Sequence, residues 1–181
     1  MKYDILLPCF LCYKFKKKRR DMKQMKYESL CLSVKDIEAS KKFYQDLIGL
    51  EIDSDWGINV GFKGGIALQQ DFDKIIGVPK ESIVSRPHNM ELVFETDDFD
   101  TFIKKIEHYP NIAFVRGGVV EQPWGQRVLH IYDLDGHIVE VGEKFSQVIQ
   151  RFISDGMSVE AVAKRCGIPV EDVKKFLDGK W

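Results

Sequence analysis

From Tyr27 onward, apolar and polar residues follow a pattern that occurs twice. Leu30, Leu32 and Val34 alternate with Cys31 and Ser33, as in a strand with one buried face. Asp36 then offers an N-cap, and Ile37, Ser40, Tyr44 and Leu47 fall on one face of a helix that Gly49 ends. Short extended runs follow at roughly 51–54, 58–62 and 66–69, separated by Asp55-Trp56-Gly57 and Lys63-Gly64-Gly65. Beyond a connector at 71–87, Leu92, Phe94 and Thr96 alternate, Asp98 can cap, and Phe99, Phe102, Ile103 and Ile106 form a helical stripe. Residues 113–115 and 119–120 read as strands. Val128 to Tyr132 and Ile138 to Val141 flank Asp133-Leu134-Asp135-Gly136 as a hairpin. Placing Asp36 on Asp98 aligns Val34 with Thr96, Leu32 with Phe94 and Leu30 with Leu92, which is an internal duplication.

The two ends of the chain differ from this repeat. Residues 1–24 start apolar and turn basic through Lys14, Lys16, Lys17, Lys18, Arg19 and Arg20, which reads as a disordered leader. The apolar run is too short to span a bilayer. Residues 146–181 predict three short helices, stopped by Gly156, capped by Ser158 and turned by Gly167. Ala163, Gly167 and Val173 have helix-turn-helix spacing, but the would-be recognition helix opens with Glu171 and Asp172, where phosphates would sit.

Composition narrows the class. The chain has 181 residues, 44% hydrophobic and 30% charged, with a formal net charge of -1, which fits a globular domain with a small appendage and argues against nucleic acid as a partner. Cys9 and Cys12 are spaced Cys-x-x-Cys, but Cys31 and Cys166 complete no zinc set, and a reducing cytoplasm fits best.

Two such units can bury their helices against one face of a curved sheet and leave the other as a cleft, an architecture suited to small-molecule binding or catalysis. Glu140 is the first candidate residue. It lies between Val139 and Val141, so alternation turns its carboxylate away from the packed side. His130 lies on the facing strand, and a one-residue register, which the pattern leaves open, decides whether it joins Glu140 as an acid/base pair.

These residues resemble the vicinal oxygen chelate superfamily of glyoxalase I, extradiol dioxygenases and fosfomycin- and bleomycin-resistance proteins. The resemblance is carried by Leu32-Ser33-Val34-Lys35-Asp36-Ile37, Phe43-Tyr44, Gly49-Leu50, and Asp133-Leu134-Asp135-Gly136-His137 with Glu140. It implies an α+β fold of two βαβββ modules, about 25–72 and 88–145, making an open, curved eight-stranded sheet, and it implies a homodimer. Metal-dependent members carry ligands at positions that here hold Ser29, Ala67, Glu91 and Glu140, and of these only Glu140 matches the usual residue. A serine hydroxyl is a weak ligand and alanine has no donor atom. The expectation is therefore a cleft without the usual metal. An Arg127 ion pair to one of these carboxylates is the favoured way to balance their charge, with a hard divalent ion on Glu91 and Glu140 or a cationic ligand between them as the alternatives.

The expected site comprises Glu140 and His130 as catalytic residues, with Ser29, Glu91, Trp124 and Arg127 as ligand-binding residues. His88 is expected at a rim, His137 in a turn hydrogen bond, and Trp56 as core or interface filler. Three functions follow. The first is a small-molecule-binding protein of the bleomycin-resistance kind. The second is a divalent-metal lyase or isomerase, and the third a ligand-sensing regulator whose tail contacts DNA or a partner.

Overall fold

The two aspartates singled out as caps begin equivalent helices. In the computed structural model, which describes residues 24–180, Asp36 accepts a hydrogen bond from Ala39 N and Asp98 one from Thr101 N. Such caps are each worth about 1 kcal/mol. The leader, with Cys9, Cys12 and its basic cluster, lies outside the described residues, as does Trp181.

The first unit runs β1 (Leu30–Val34), α1 (Ile37–Phe43, continued by a wider π turn at Tyr44–Ile48), β2 (Ile52–Asp55), β3 (Asn59–Phe62) and β4 (Ile66–Gln70). After a short helix α2 (Phe72–Ile76) and a 3-10 turn at Lys80–Ser82, the second runs β5 (Glu91–Thr96), α3 (Phe99–His108), β6 (Ala113–Phe114), β7 (Val120–Glu121), β8 (Arg127–Tyr132) and β9 (Ile138–Glu143). Each unit forms its own hydrogen-bonded sheet, ordered β1-β4-β3-β2 and β5-β9-β8-β6. Here β6 and β7 both pair with β8, at opposite ends, so they share one strand position and restore the βαβββ count. The pairs β1–β4 and β5–β9 are parallel and correspond between units.

One continuous core joins the units. Leu32, Val34, Phe43, Leu47 and Leu68 of the first pack with Leu92, Phe99, Phe102, Leu129, Ile131 and Val141 of the second. The helices touch across it, where Lys105 Nζ donates to Leu47 O. Polar groups pin the same seam. Buried Tyr44 donates to Asp133 Oδ2 (2.7 Å), and Lys35 N donates to Asp135 Oδ1 (3.2 Å). Asp133 also accepts from His137 N and lies 2.8 Å from His137 Nδ1, the turn bond expected of that histidine.

The tail forms α4 (Phe145–Ser154), α5 (Val159–Cys166) and α6 (Val170–Leu177), as the pattern predicts. It has a separate core of Val148, Ile149, Phe152, Val162, Ala163, Cys166 and Val173. Among the described residues no helix is long and apolar enough to cross a membrane.

Candidate functional site

The hairpin register settles which face His130 takes. His130 lies directly opposite Glu140, and Val93 of β5 pairs with Glu140 from the other side. Leu129, Ile131, Val139 and Val141 face the core, so His130, Glu140 and, by the same alternation on β5, Glu91 face away from it. His130 Nε2 is 2.7 Å from Glu140 Oε2 and 3.6 Å from Glu91 Oε2. One donor atom from each of the three residues lies within 4.8 Å of the others. The side chains of His130 and Glu140 are 14% and 13% exposed.

Burial pushes the Glu140 carboxyl above the ordinary carboxylate range; the His130 imidazole opposes this and the Glu91 charge reinforces it. Among the described residues, neither glutamate has a Lys or Arg within ion-pairing distance. The cluster thus concentrates two carboxylates around one imidazole with no fixed cation.

Arg127 does not supply that cation, which corrects the expected pairing. It lies three positions from His130 and so projects to the other face of β8. There it contacts Glu143 Oε2 (3.3 Å) and Asp100 Oδ1 (2.9 Å), and its guanidinium sits 5.2 Å from the Phe99 ring centre. Ser29 is also apart from the cluster. It lines a cavity of about 390 Å³ on the first sheet with Trp56, Asn59, Gly61 and Ala67. Trp56 is 76% exposed, so it fills no core within this chain. His88 is exposed and its Nε2 meets the Tyr132 hydroxyl. Trp124 lies in the β7–β8 loop, 39% exposed, and its indole donates to Gln126 Oε1 (3.0 Å).

Glu143, Arg151 and Gln126 escaped the sequence reading. Glu143 is 3% exposed and accepts from both Arg127 and Arg151. One signal was available for it: Arg127 and Glu143 stand equally far from Asp135 at the centre of the hairpin turn, as do His130 and Glu140.

A family model for the glyoxalase-like domain matches residues 27–146. The chain belongs to that family. A protein of unknown function from Agrobacterium tumefaciens str. C58 is 35% identical, and the match covers 68% of this chain and 97% of that one with a TM-score of 0.60. Two further neighbours share the fold. A glyoxalase/bleomycin resistance protein/dioxygenase family enzyme from Burkholderia phytofirmans PsJN has a TM-score of 0.56 at 15% identity, covering 66% of this chain and 98% of its own. A glyoxalase-related enzyme from Fulvimarina pelagi has a TM-score of 0.54 at 20% identity, covering 69% and 91%. No curated protein matches. The glyoxalase-like domain as matched ends at the first turn of α4, so most of the tail lies beyond it.

Proposed function

We propose that this glyoxalase-like domain binds a small organic molecule on the open face of its second sheet, with Glu91, His130 and Glu140 as the polar centre that meets it. The observation that carries this reading is the convergence of the three side chains, half-enclosed and without a balancing Lys or Arg among the described residues. Two carboxylates around an imidazole accept protons readily. Glu140 would take the proton of a ligand hydroxyl, or of a carbon beside a carbonyl, while His130 holds it in place and Glu91 keeps the local potential negative. An oxygen-bearing head group that donates a hydrogen bond is the ligand chemistry that suits them.

A second reading is favoured by the donor set itself. One imidazole nitrogen and two carboxylate oxygens at this spacing suit a borderline or hard divalent ion such as Mn²⁺ or Zn²⁺. Glu91, His130 and Glu140 would hold the ion, and bound there it would polarise a ligand carbonyl and neutralise the carboxylates, which is the chemistry of a lyase or isomerase. The three residues all come from the second unit, so this set differs from the one implied by the resemblance, in which Ser29 is a weak ligand and Ala67 has no donor atom.

Thermal unfolding with acetohydroxamate, a small head group that both donates hydrogen bonds and chelates, tests the first reading. A ligand at a hundred times its Kd adds about 2.7 kcal/mol, which for a chain of this size raises Tm by roughly 5–10 °C. The rise is expected in the native chain and should vanish in Glu140→Gln. No rise, or an equal rise in both, removes the cluster from ligand binding. The same melts with Mn²⁺, Zn²⁺, Ni²⁺ and Mg²⁺ test the second reading.

A further inference from the structure

The tail is fastened to the sheet at the end of β5, where Gln147 of α4 donates to Asp97 O (2.6 Å), and along the β7–β8 loop that carries Trp124. Arg165 of α5 donates to Pro123 O and pairs with Glu121 (2.8 Å). Arg151 of α4 donates to Gly125 O (2.8 Å) and to buried Glu143 (3.1 Å). The carbonyls on both sides of Trp124 are therefore held by arginines from two different tail helices. Gly125 itself is buried at φ +91°, and a Cβ there would lie 2.2 Å from the Phe152 ring of α4, so loop and tail are in direct contact.

That loop reaches onto the open face of the second sheet. Gly142 lies two positions along β9 from Glu140 and so shares its face. A Cβ on Gly142 would come within 2.9 Å of Gln126 Nε2, which places the Gln126 amide over this strand on the cluster's side. From there Gln126 donates to Glu143 O (2.8 Å), points at Glu95 Oε1 (3.5 Å) and accepts from the Trp124 indole. Glu95 in turn shares its face with Glu91, and between them lies Val93, 60% exposed. The open face thus has the Glu91–His130–Glu140 cluster at one place, an apolar floor at Val93, and a Glu95–Gln126–Trp124 wall beyond. The offset from His130 to Gln126 along the strand is about 13 Å.

We infer that the tail holds this wall in place as the far end of the ligand site, and that the ligand is an elongated molecule with an oxygen-bearing head at the cluster and a flat apolar end on the Trp124 indole. The inference rests on the reading of the cluster given above. Trp124 is the residue that meets the ligand; Arg151 and Arg165 are positioning residues that act through the loop backbone. An indole face held in place stacks an aromatic ring at little entropic cost, whereas a loose loop would lose that advantage. Trp124, Gln126 and Glu95 lie within the matched domain, whereas Arg151 and Arg165, which hold the loop, lie beyond it.

Calorimetric titration of the full chain with two hydroxamates tests it: acetohydroxamate, which is head alone, and 4-phenylbutyrohydroxamate, which adds a chain and a ring. The phenyl compound is expected to bind about tenfold more tightly and to quench a tryptophan signal that disappears in Trp124→Phe. Trp124→Leu should remove most of the tenfold gain, and Arg165→Ala should do the same while leaving acetohydroxamate affinity unchanged, a split that a merely structural role would not produce. Arg165 is exposed enough that its variant keeps the fold; Arg151→Lys serves as a second probe of the clamp. Binding of acetohydroxamate without a gain for the phenyl compound, or a gain that survives in Trp124→Leu and Arg165→Ala, overturns this inference alone. Failure of both compounds to bind overturns the cluster reading and this inference with it.

Discussion

His130 Nε2 stands 2.7 Å from Glu140 Oε2, across two strands whose turn is centred between them. Such a contact, placed beside a second carboxylate, is an expensive way to fill a sheet face. His130→Ala leaves Glu91 and Glu140 facing each other and is expected to cost about 2 kcal/mol. Replacing both partners, as His130→Leu with Glu140→Leu, should be neutral or stabilising relative to the native chain, because no buried polar group is then left unpaired. Urea unfolding of the two variants checks this. A double variant as unstable as the single one would mean that the pair serves the fold and not a ligand.

The same hairpin shows how much could be read in advance. Periodicity marked both repeats, their Asp36 and Asp98 caps and the three tail helices, because buried stripes and caps are local signals. The match of β1 with β5 and of α1 with α3 followed from aligning the caps. The face of His130 was open until the number of turn residues was known, since a shift by one position reverses every side chain. Counting outward from Asp135 pairs His130 with Glu140 and Arg127 with Glu143, and it places these two pairs on opposite faces. Contacts that join distant segments left no such trace. Nothing near Arg151 or Arg165 in sequence announces the Pro123 and Gly125 carbonyls.

The seam between the units offers a second prediction. The Tyr44 hydroxyl donates to a carboxylate at a fully buried position, and hydrogen bonds to charged groups are worth about 1.5–3 kcal/mol. Tyr44→Phe removes the donor and keeps the ring, so a loss of that size with unchanged secondary structure is expected in urea melts. A loss below about 0.5 kcal/mol would show that His137 and the Asp135 N–H hold Asp133 without the tyrosine.

Asp133 and His137 also fix a pH window. Burial alone would push the His137 imidazole down, but the hydrogen bond and charge of Asp133, joined by Asp135, outweigh it and leave its pKa raised. A raised imidazole stabilises the fold fully below its ordinary value of about 6.5 and stops doing so as pH climbs through the folded value. Burial likewise opposes ionisation of Asp133, yet its bonds to His137 and Tyr44 prevail and its pKa is lowered. That contribution is present above the ordinary aspartate value and fades as pH falls through the folded one. The contribution of this pair should therefore be greatest between the ordinary aspartate and histidine values and decline on the alkaline side, and His137→Asn should flatten that decline. A native chain whose Tm does not fall between pH 6 and 9 relative to the variant would contradict it.

Gly125 offers the sharpest test of how the tail is seated. Its φ of +91° disfavours any side chain, and a Cβ would sit 2.2 Å from Phe152 Cζ. Gly125→Ala must therefore meet two costs, about 1 kcal/mol for the backbone and about 1–3 kcal/mol for the overlap. The two are separable. In a Phe152→Leu background the ring is gone and only the backbone cost should persist, so alanine at 125 is expected to lose much less stability there than in the native chain. The difference between the two losses, taken from urea midpoints, is a coupling energy of about 1–2 kcal/mol between loop and tail. A coupling near zero would mean that the loop and α4 move independently, and the arginine contacts from Arg151 and Arg165 would then be too weak to hold Trp124 in one place.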